Sequence, residues 1–258
     1  MTQTIGTEAR PMPDIMELDL SDLRAALALG WRDAKAAPLY GLFFAGVYFL
    51  GGLLLTFSMA VEGQLWWSIV AGAGFPMLGP FIACGFYEVS RRLEQNEPLT
   101  WPGVLGAVFR QKDRQMPTMA AIVVVFFLFW NFLAHMIFAL FLGNSTMTDV
   151  SNSLAIFMTP EGVMMVAFGT FVGAVFSFVL YALSVASLPL LLDRDIDFIT
   201  AMIASWSLVT GNFRVMMIWA LLIATCLFAA MIPAFLGLFI VLPLFGHASW
   251  HLYRRALQ

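Results

Sequence analysis

At 258 residues, with 61% hydrophobic and 11% charged side chains and a mean hydropathy of +0.86, the chain lies outside the composition of soluble domains, which run at roughly half apolar and a quarter charged. It reads as an all-α, polytopic membrane protein whose first partner is the lipid bilayer. A net charge of −3 with scattered basic residues and no polybasic run gives no sign of a nucleic-acid partner.

The first 37 residues are polar and acidic and lack a basic stretch followed by a short apolar core, so no cleavable signal peptide is expected. Residues 1–17 read as a disordered cytoplasmic tail, and 18–258 as one membrane domain. A span needs about 20 apolar residues. Six stretches supply them: Pro38 to Met59, Leu65 to Val89, Pro117 to Leu142, Gly162 to Leu192, Val215 to Ile232 and Ala234 to Tyr253. The 39 residues from Val215 to Tyr253 hold no formal charge and are too long for one helix. Pro233 is the natural hairpin between two helices.

All 13 basic residues fall between even- and odd-numbered spans or beyond the outer two, while the opposite loops carry only Glu62, Asp149 and Glu161. Lys and Arg mark the cytoplasmic side of short loops. The expectation is six spans with both termini cytoplasmic.

Each odd-numbered span is preceded by a short stretch of helical periodicity, beginning at Leu18, Asn96 and Arg194. Candidate N-caps are Ser21 or Asp22, Thr100 and Asp197, whose side-chain oxygens accept from free backbone N–H groups. Apolar residues share one face in each stretch: Leu23, Leu27 and Trp31; Trp101, Val104, Leu105 and Val108; Phe198, Met202, Ile203 and Trp206. Such helices lie in the interface plane, where a tryptophan ring suits the headgroup level. The chain thus divides into three units, about 18–93, 96–192 and 194–256, each an interfacial helix followed by a transmembrane hairpin.

A shift of 163 positions supports the repeat. It lays Gly74 on Gly237, Pro80 on Pro243, Arg91 on Arg254 and Arg92 on Arg255, with Tyr87 opposite Trp250. Because each unit has two spans, the units share orientation about an axis along the membrane normal.

The run from Pro243 through Gly246-His-Ala-Ser-Trp-His251 to Arg254, with Gly74-Phe-Pro76, Pro80-Phe81, Gly85 to Arg92 and Gly30-Trp-Arg-Asp33, resembles an uncharacterised family of predicted bacterial integral membrane proteins, catalogued only as a domain of unknown function. The resemblance implies a six-span protein of the bacterial inner membrane and no established activity. Members are sometimes labelled as related to cytochrome c oxidase, yet a haem-copper core needs about a dozen spans and more histidines than His135, His247 and His251.

Candidate polar positions are weighed against plain structural roles. His247 and His251, at i, i+4, have a spacing compatible with a shared metal, but no third ligand stands beside them. Hydrogen bonding to a neighbouring helix or to headgroups is the simpler reading. Glu88 occupies the repeat position of His251 beside Arg91 and Arg92, so an ion pair competes with a proton- or substrate-handling role. Asn131 and His135, with Ser177, Tyr181 and Ser184, form a polar stripe deep in the second hairpin, and Asn131 and Ser177 come out at similar depth. They read as glue between helices, or as the lining of a small polar cavity. Pro76 and Pro80, set among Gly72, Gly74 and Gly79, read as packing kinks or as a broken helix of transporter type, and Pro243 as a further kink. Gly169 and Gly173 form a GxxxG. Cys84 and Cys226 read as buried free thiols.

No catalytic triad, phosphate loop or zinc cluster is present, so no enzyme, cofactor or metal is expected. The leading expectation is an accessory or assembly factor for a larger membrane complex, through a membrane-protein partner or a homo-oligomer. A small transporter or channel is the alternative.

Overall fold

The computed structural model describes residues 13–62, 65–110, 114–143 and 157–257. It is all-helical: α1 (Leu20–Ala36), α2 (Pro38–Glu62), α3 (Leu65–Glu94), α4 (Trp101–Arg110), α5 (Met116–Leu142), α6 (Pro160–Ser184), α7 (Ser187–Asp193), α8 (Phe198–Gly211), α9 (Phe213–Met231) and α10 (Leu238–Ala256). Among the described residues the only β feature is an isolated antiparallel bridge between Ile15 and Leu257.

Each of the six apolar stretches falls on a helix. By length and apolarity alone, α5, the α6–α7 pair and α9 are each sufficient to cross a bilayer, and α1 with α2 passes as a pair bent by 99°. The bend has a local cause. Pro38 disfavours helical backbone at Ala37 and has no N–H to continue the α1 ladder, but it suits the first position of α2. At α9–α10 the hairpin turns at Pro233, where Ala234 and Phe235 take positive φ values of 50° and 65°. Gly237 lies so close to Ala230 that an added Cβ would stand 2.5 Å from its Cα.

The fourth stretch passes as one span, as expected, but not as one continuous helix. The helix breaks at Val185 and Ala186 and resumes as α7. Pro189 removes the N–H that would bond to Val185 four residues earlier, and its ring crowds that carbonyl. The freed Ala186 N–H donates instead to Ser205 Oγ on α8 at 3.1 Å, in a buried position.

The three short stretches are helices α1, α4 and α8, each leading into a long one. Thr100 and Asp197 cap as expected, donated to by the backbone N–H groups of Gly103 and Thr200. The first cap is Asp19 rather than Ser21 or Asp22, with Asp22 returning the bond from the third helical position as a capping box. Trp31, Trp101 and Trp206 remain 45%, 37% and 39% exposed. On α1 the buried face is Leu23, Ala26, Gly30 and Asp33, so Trp31 does not belong to it.

Packing between these elements is cyclic. The C-terminal part of α3 packs on α4, α6 and α7 pack on α8, and α10 packs on α1. The first two contacts join chain neighbours; the third joins the two ends of the chain. Beside it, Met16 N–H donates to the Ala256 carbonyl at 2.9 Å, and Asn212 clasps the Leu18 N–H and the Met16 carbonyl. Residues 13–17, expected in a disordered tail, are therefore an ordered extended strap; residues 1–12 lie outside the described residues.

Candidate functional site

The last turns of α10 gather most of the buried polar chemistry. They stand where α1, α3 and α7 converge, and the closest approach is at Gly30. A Cβ added there would lie 2.6 Å from the Ala248 backbone nitrogen, so only glycine lets the two helices cross so tightly. One turn further along each helix, Asp33 Oδ2 and His251 Nε2 meet at 2.6 Å, with both side chains buried. The pairing is a matter of register: Gly30 and Asp33 on α1 face Ala248 and His251 on α10, both at i, i+3.

Burial pushes the Asp33 carboxyl up, but hydrogen bonds from His251, Arg32 and Ser90 together outweigh it and hold the group below its ordinary value of 3.8. Arg32 reaches Oδ1 from the exposed side at 3.1 Å. On the other side of His251, one turn deeper, the fully buried His247 places Nδ1 2.8 Å from Ser90 Oγ on α3 and its ring edge-on to Phe86. His247 Nε2 and Trp219 Nε1 are buried without a hydrogen-bond partner among the described residues. The two α10 histidines therefore turn to different partners on different helices. No group of three or more His, Cys, Asp or Glu is placed to hold a metal among the described residues.

Glu88, 1% exposed, accepts from Arg91 at 2.9 and 3.0 Å and from Arg92 at 2.7 Å. Glu97 completes the cluster at 3.3 and 3.4 Å. Fork-on geometry of this kind is what makes a buried carboxylate tolerable. At the bundle's end, Glu94 accepts from Trp250 Nε1 and Arg254, Asp193 accepts from Tyr253 OH at 2.7 Å, and Arg255 reaches Asp22 at 2.9 Å. The repeat-related rings of Tyr87 and Trp250 stand 6.5 Å apart.

The stripe in the second hairpin is arranged otherwise than expected. Asn131 Nδ2 donates to its own helix, at the Phe127 carbonyl, and makes no bond to Ser177. Helix depth, which can be counted from sequence, does not fix rotation about the helix axis. Ser177 instead borders an apolar recess of about 270 Å³ between α5 and α6, lined by Phe127, Trp130, Gly173 and Phe176 among others. His135 is exposed, with Nδ1 2.7 Å from the Asn131 carbonyl. Tyr181 leaves the hairpin and donates to the Met216 carbonyl on α9 at 2.9 Å, while Ser184 donates to the Leu180 carbonyl of its own helix. Gly173 seats the Trp130 ring, which a Cβ would approach to 2.9 Å.

The helix α3 runs unbroken through Pro76 and Pro80, so the broken-helix alternative has no counterpart. The side chain of Pro76 lies outside the described residues; Pro80 is buried, and Pro243 is buried inside α10 against Gly41. Cys84 is buried, Cys226 is half-buried, and both are free thiols.

From sequence, Asp33 and Ser90 stand only within the motifs of the resemblance, without a role of their own, and Glu94 and Asp193 are not singled out. A carboxylate on the otherwise apolar Leu23, Ala26, Gly30 stripe is the signal that would have found Asp33.

Residues 68–193 match the model of a family described as predicted integral membrane protein (DUF2189), a domain of unknown function. The chain is an integral membrane protein. The family is the uncharacterised one to which the resemblance pointed, and the matched stretch of this membrane protein includes the Gly74, Pro80 and Gly85 to Arg92 motifs. Of the site it takes in Glu88, Ser90, Glu94 and Asp193, and it ends before His247 and His251. No curated protein and no solved structure matches the chain.

Proposed function

We propose that this membrane protein acts without catalytic chemistry, as an accessory or assembly factor that docks another membrane protein through the α5–α6 hairpin. The observation that carries the reading is His135. It stands well inside a 27-residue apolar helix, yet it is exposed. Ionisable side chains within spans nearly always face protein or a water-filled cavity, and here the described residues leave it uncovered. Phe132, Met136 and Leu140 flank it on the outer face at 60%, 52% and 76% exposure.

The bonding of His135 also describes the partner. Nδ1 faces a carbonyl oxygen, so in the neutral ring Nδ1 carries the hydrogen and Nε2 is left as an acceptor. A docking helix would present a hydroxyl or amide donor at that depth. The transport alternative draws less support: among the described residues the buried charged groups and histidines, Asp33, Glu88, His247 and His251, gather at one end of the bundle, and the recess beside Ser177 is walled by aromatic and aliphatic side chains.

The finer topology belongs to the same proposal: six spans as three hairpins, both termini cytoplasmic, in a bacterial inner membrane. Support comes from the Ile15–Leu257 bridge and the Asp22–Arg255 pair, which bring the two ends of the chain together. Ends that lie together require an even number of crossings.

A photo-crosslinking residue at Phe132 or Met136, irradiated in intact cells, is expected to yield one discrete adduct with another membrane protein. The same residue at Leu50 on α2, which is equally bare, is expected to yield none. Absence of an adduct from the hairpin positions would overturn the docking reading; an adduct of twice the chain's mass would replace it with self-association.

A further inference from the structure

We infer that the outer stripe of α1 is a binding surface for the headgroups of anionic phospholipids. Leu20, Arg24, Ala28, Trp31 and Lys35 recur at steps of four and three and so lie on one narrow face, and all five are exposed. That face is directed away from the Leu23, Ala26, Gly30, Asp33 face held by α10. Leu20 is 49% exposed and Trp31 45%, and the Lys35 ammonium sits 5.7 Å from the centre of the Trp31 ring. An indole with apolar neighbours and cations beside it suits the level where acyl chains meet phosphates.

Two further observations select the occupant. The 99° bend lays α1 across the direction of α2, so a spanning α2 sets α1 flat along the membrane surface. The carboxylates of α1 are already engaged: Asp22 holds Arg255 and Asp33 is buried against His251. The stripe therefore carries Arg24 and Lys35 without a counter-charge on its own helix, and Arg32, with its side chain 61% exposed, retains part of its charge beside them. Beyond that helix, Asp19, the cap of α1, is the opposing charge nearest in sequence, and its oxygens are engaged by the backbone N–H groups of Ser21 and Asp22; Asp14 and Glu17 follow on the strap before it. Exposed Arg110 at the end of α4 and Arg214 at the start of α9 add to the positive side. Cations near a membrane surface draw anionic lipid.

The test uses the purified full chain, delipidated in non-ionic detergent and titrated with phosphatidylglycerol or phosphatidylcholine, with bound lipid counted by native mass spectrometry. Phosphatidylglycerol is expected to be retained in preference to phosphatidylcholine. In Arg24→Gln/Lys35→Gln that preference should fall roughly thirtyfold, the size two surface cations confer, with the melting temperature unchanged. Should the double variant melt early, the two single variants carry the same comparison. Equal retention of the two lipids, or an undiminished preference in the variants, would overturn the inference. Displacement of phosphatidylglycerol by soluble glycerol phosphate would also overturn it, by showing a site for free phosphate rather than for a lipid surface.

Discussion

The α1–α10 contact and the α5–α6 hairpin differ in what they leave outside. At α1–α10, a glycine lets the backbones touch, one charged pair is buried, and the chain's two ends are tied together. The hairpin joins itself through Trp130 against Gly173 and rings such as Phe129 on Phe176. It leaves Phe132, Leu140 and Phe171 at 60% to 76% exposure. In a bilayer, bare apolar surface costs nothing, so the first region is where the sequence specifies the fold. The second is where it remains free to meet lipid or another helix.

That contrast can be tested by unequal damage. The largest effect is expected from His251→Ala, which leaves the Asp33 carboxylate buried with only Arg32 and Ser90 to answer it. Breaking one half of a buried pair costs about 3–5 kcal/mol, to be read as a lowered melting temperature of the purified protein. A loss below about 1 kcal/mol would mean that water reaches Asp33 and that the α1–α10 seam is not closed.

Next is Gly30→Ala, whose methyl would meet Ala248 backbone at 2.6 Å. Overpacking of this kind costs about 1–3 kcal/mol. Gly169→Ala on α6, where the nearest atom is Ile137 Cγ2 at 3.9 Å, should leave the melting temperature where it was. Equal responses would erase the distinction between the two regions.

Acid titration should give a smaller effect with a defined sign. Because Asp33 is held below 3.8 in the folded protein, its stabilisation is fully present above that value and is lost as pH falls below it. Asp33→Asn should flatten this part of the stability profile. Smaller still is Arg255→Gln, since Asp22 and Arg255 are 21% and 41% exposed; about 0–1 kcal/mol is expected.

Much of this was legible in the sequence, for reasons that particular residues make plain. The charge-free run from Val215 to Tyr253 and the confinement of basic residues to alternate loops need no tertiary information, and Thr100 and Asp197 announce helix starts by local chemistry. Asp19 was passed over because the capping box uses Asp22 as its third-position partner, and the partner was taken for the cap. Asp33 sits next to Arg32 and looks like a surface charge. Its true partner lies 218 residues away, and no local pattern encodes that distance. Asn131 and Ser177 failed to pair because depth along a helix says nothing of its rotation. The break at Val185 was within reach, since Pro189 stands four residues on, but a long apolar run hid it.

The proposed role turns on His135, and the most direct measurement compares the wild type with His135→Leu in mild detergent. Leucine keeps the outer face apolar and removes the Nε2 acceptor together with the bond to the Asn131 carbonyl one turn back. The account predicts that the wild type migrates on a native gel as a complex with a second membrane protein. The variant should migrate as the chain alone, with its melting temperature unchanged because His135 bonds only to its own helix. A wild type that migrates alone, or a variant that keeps its partner, would contradict it.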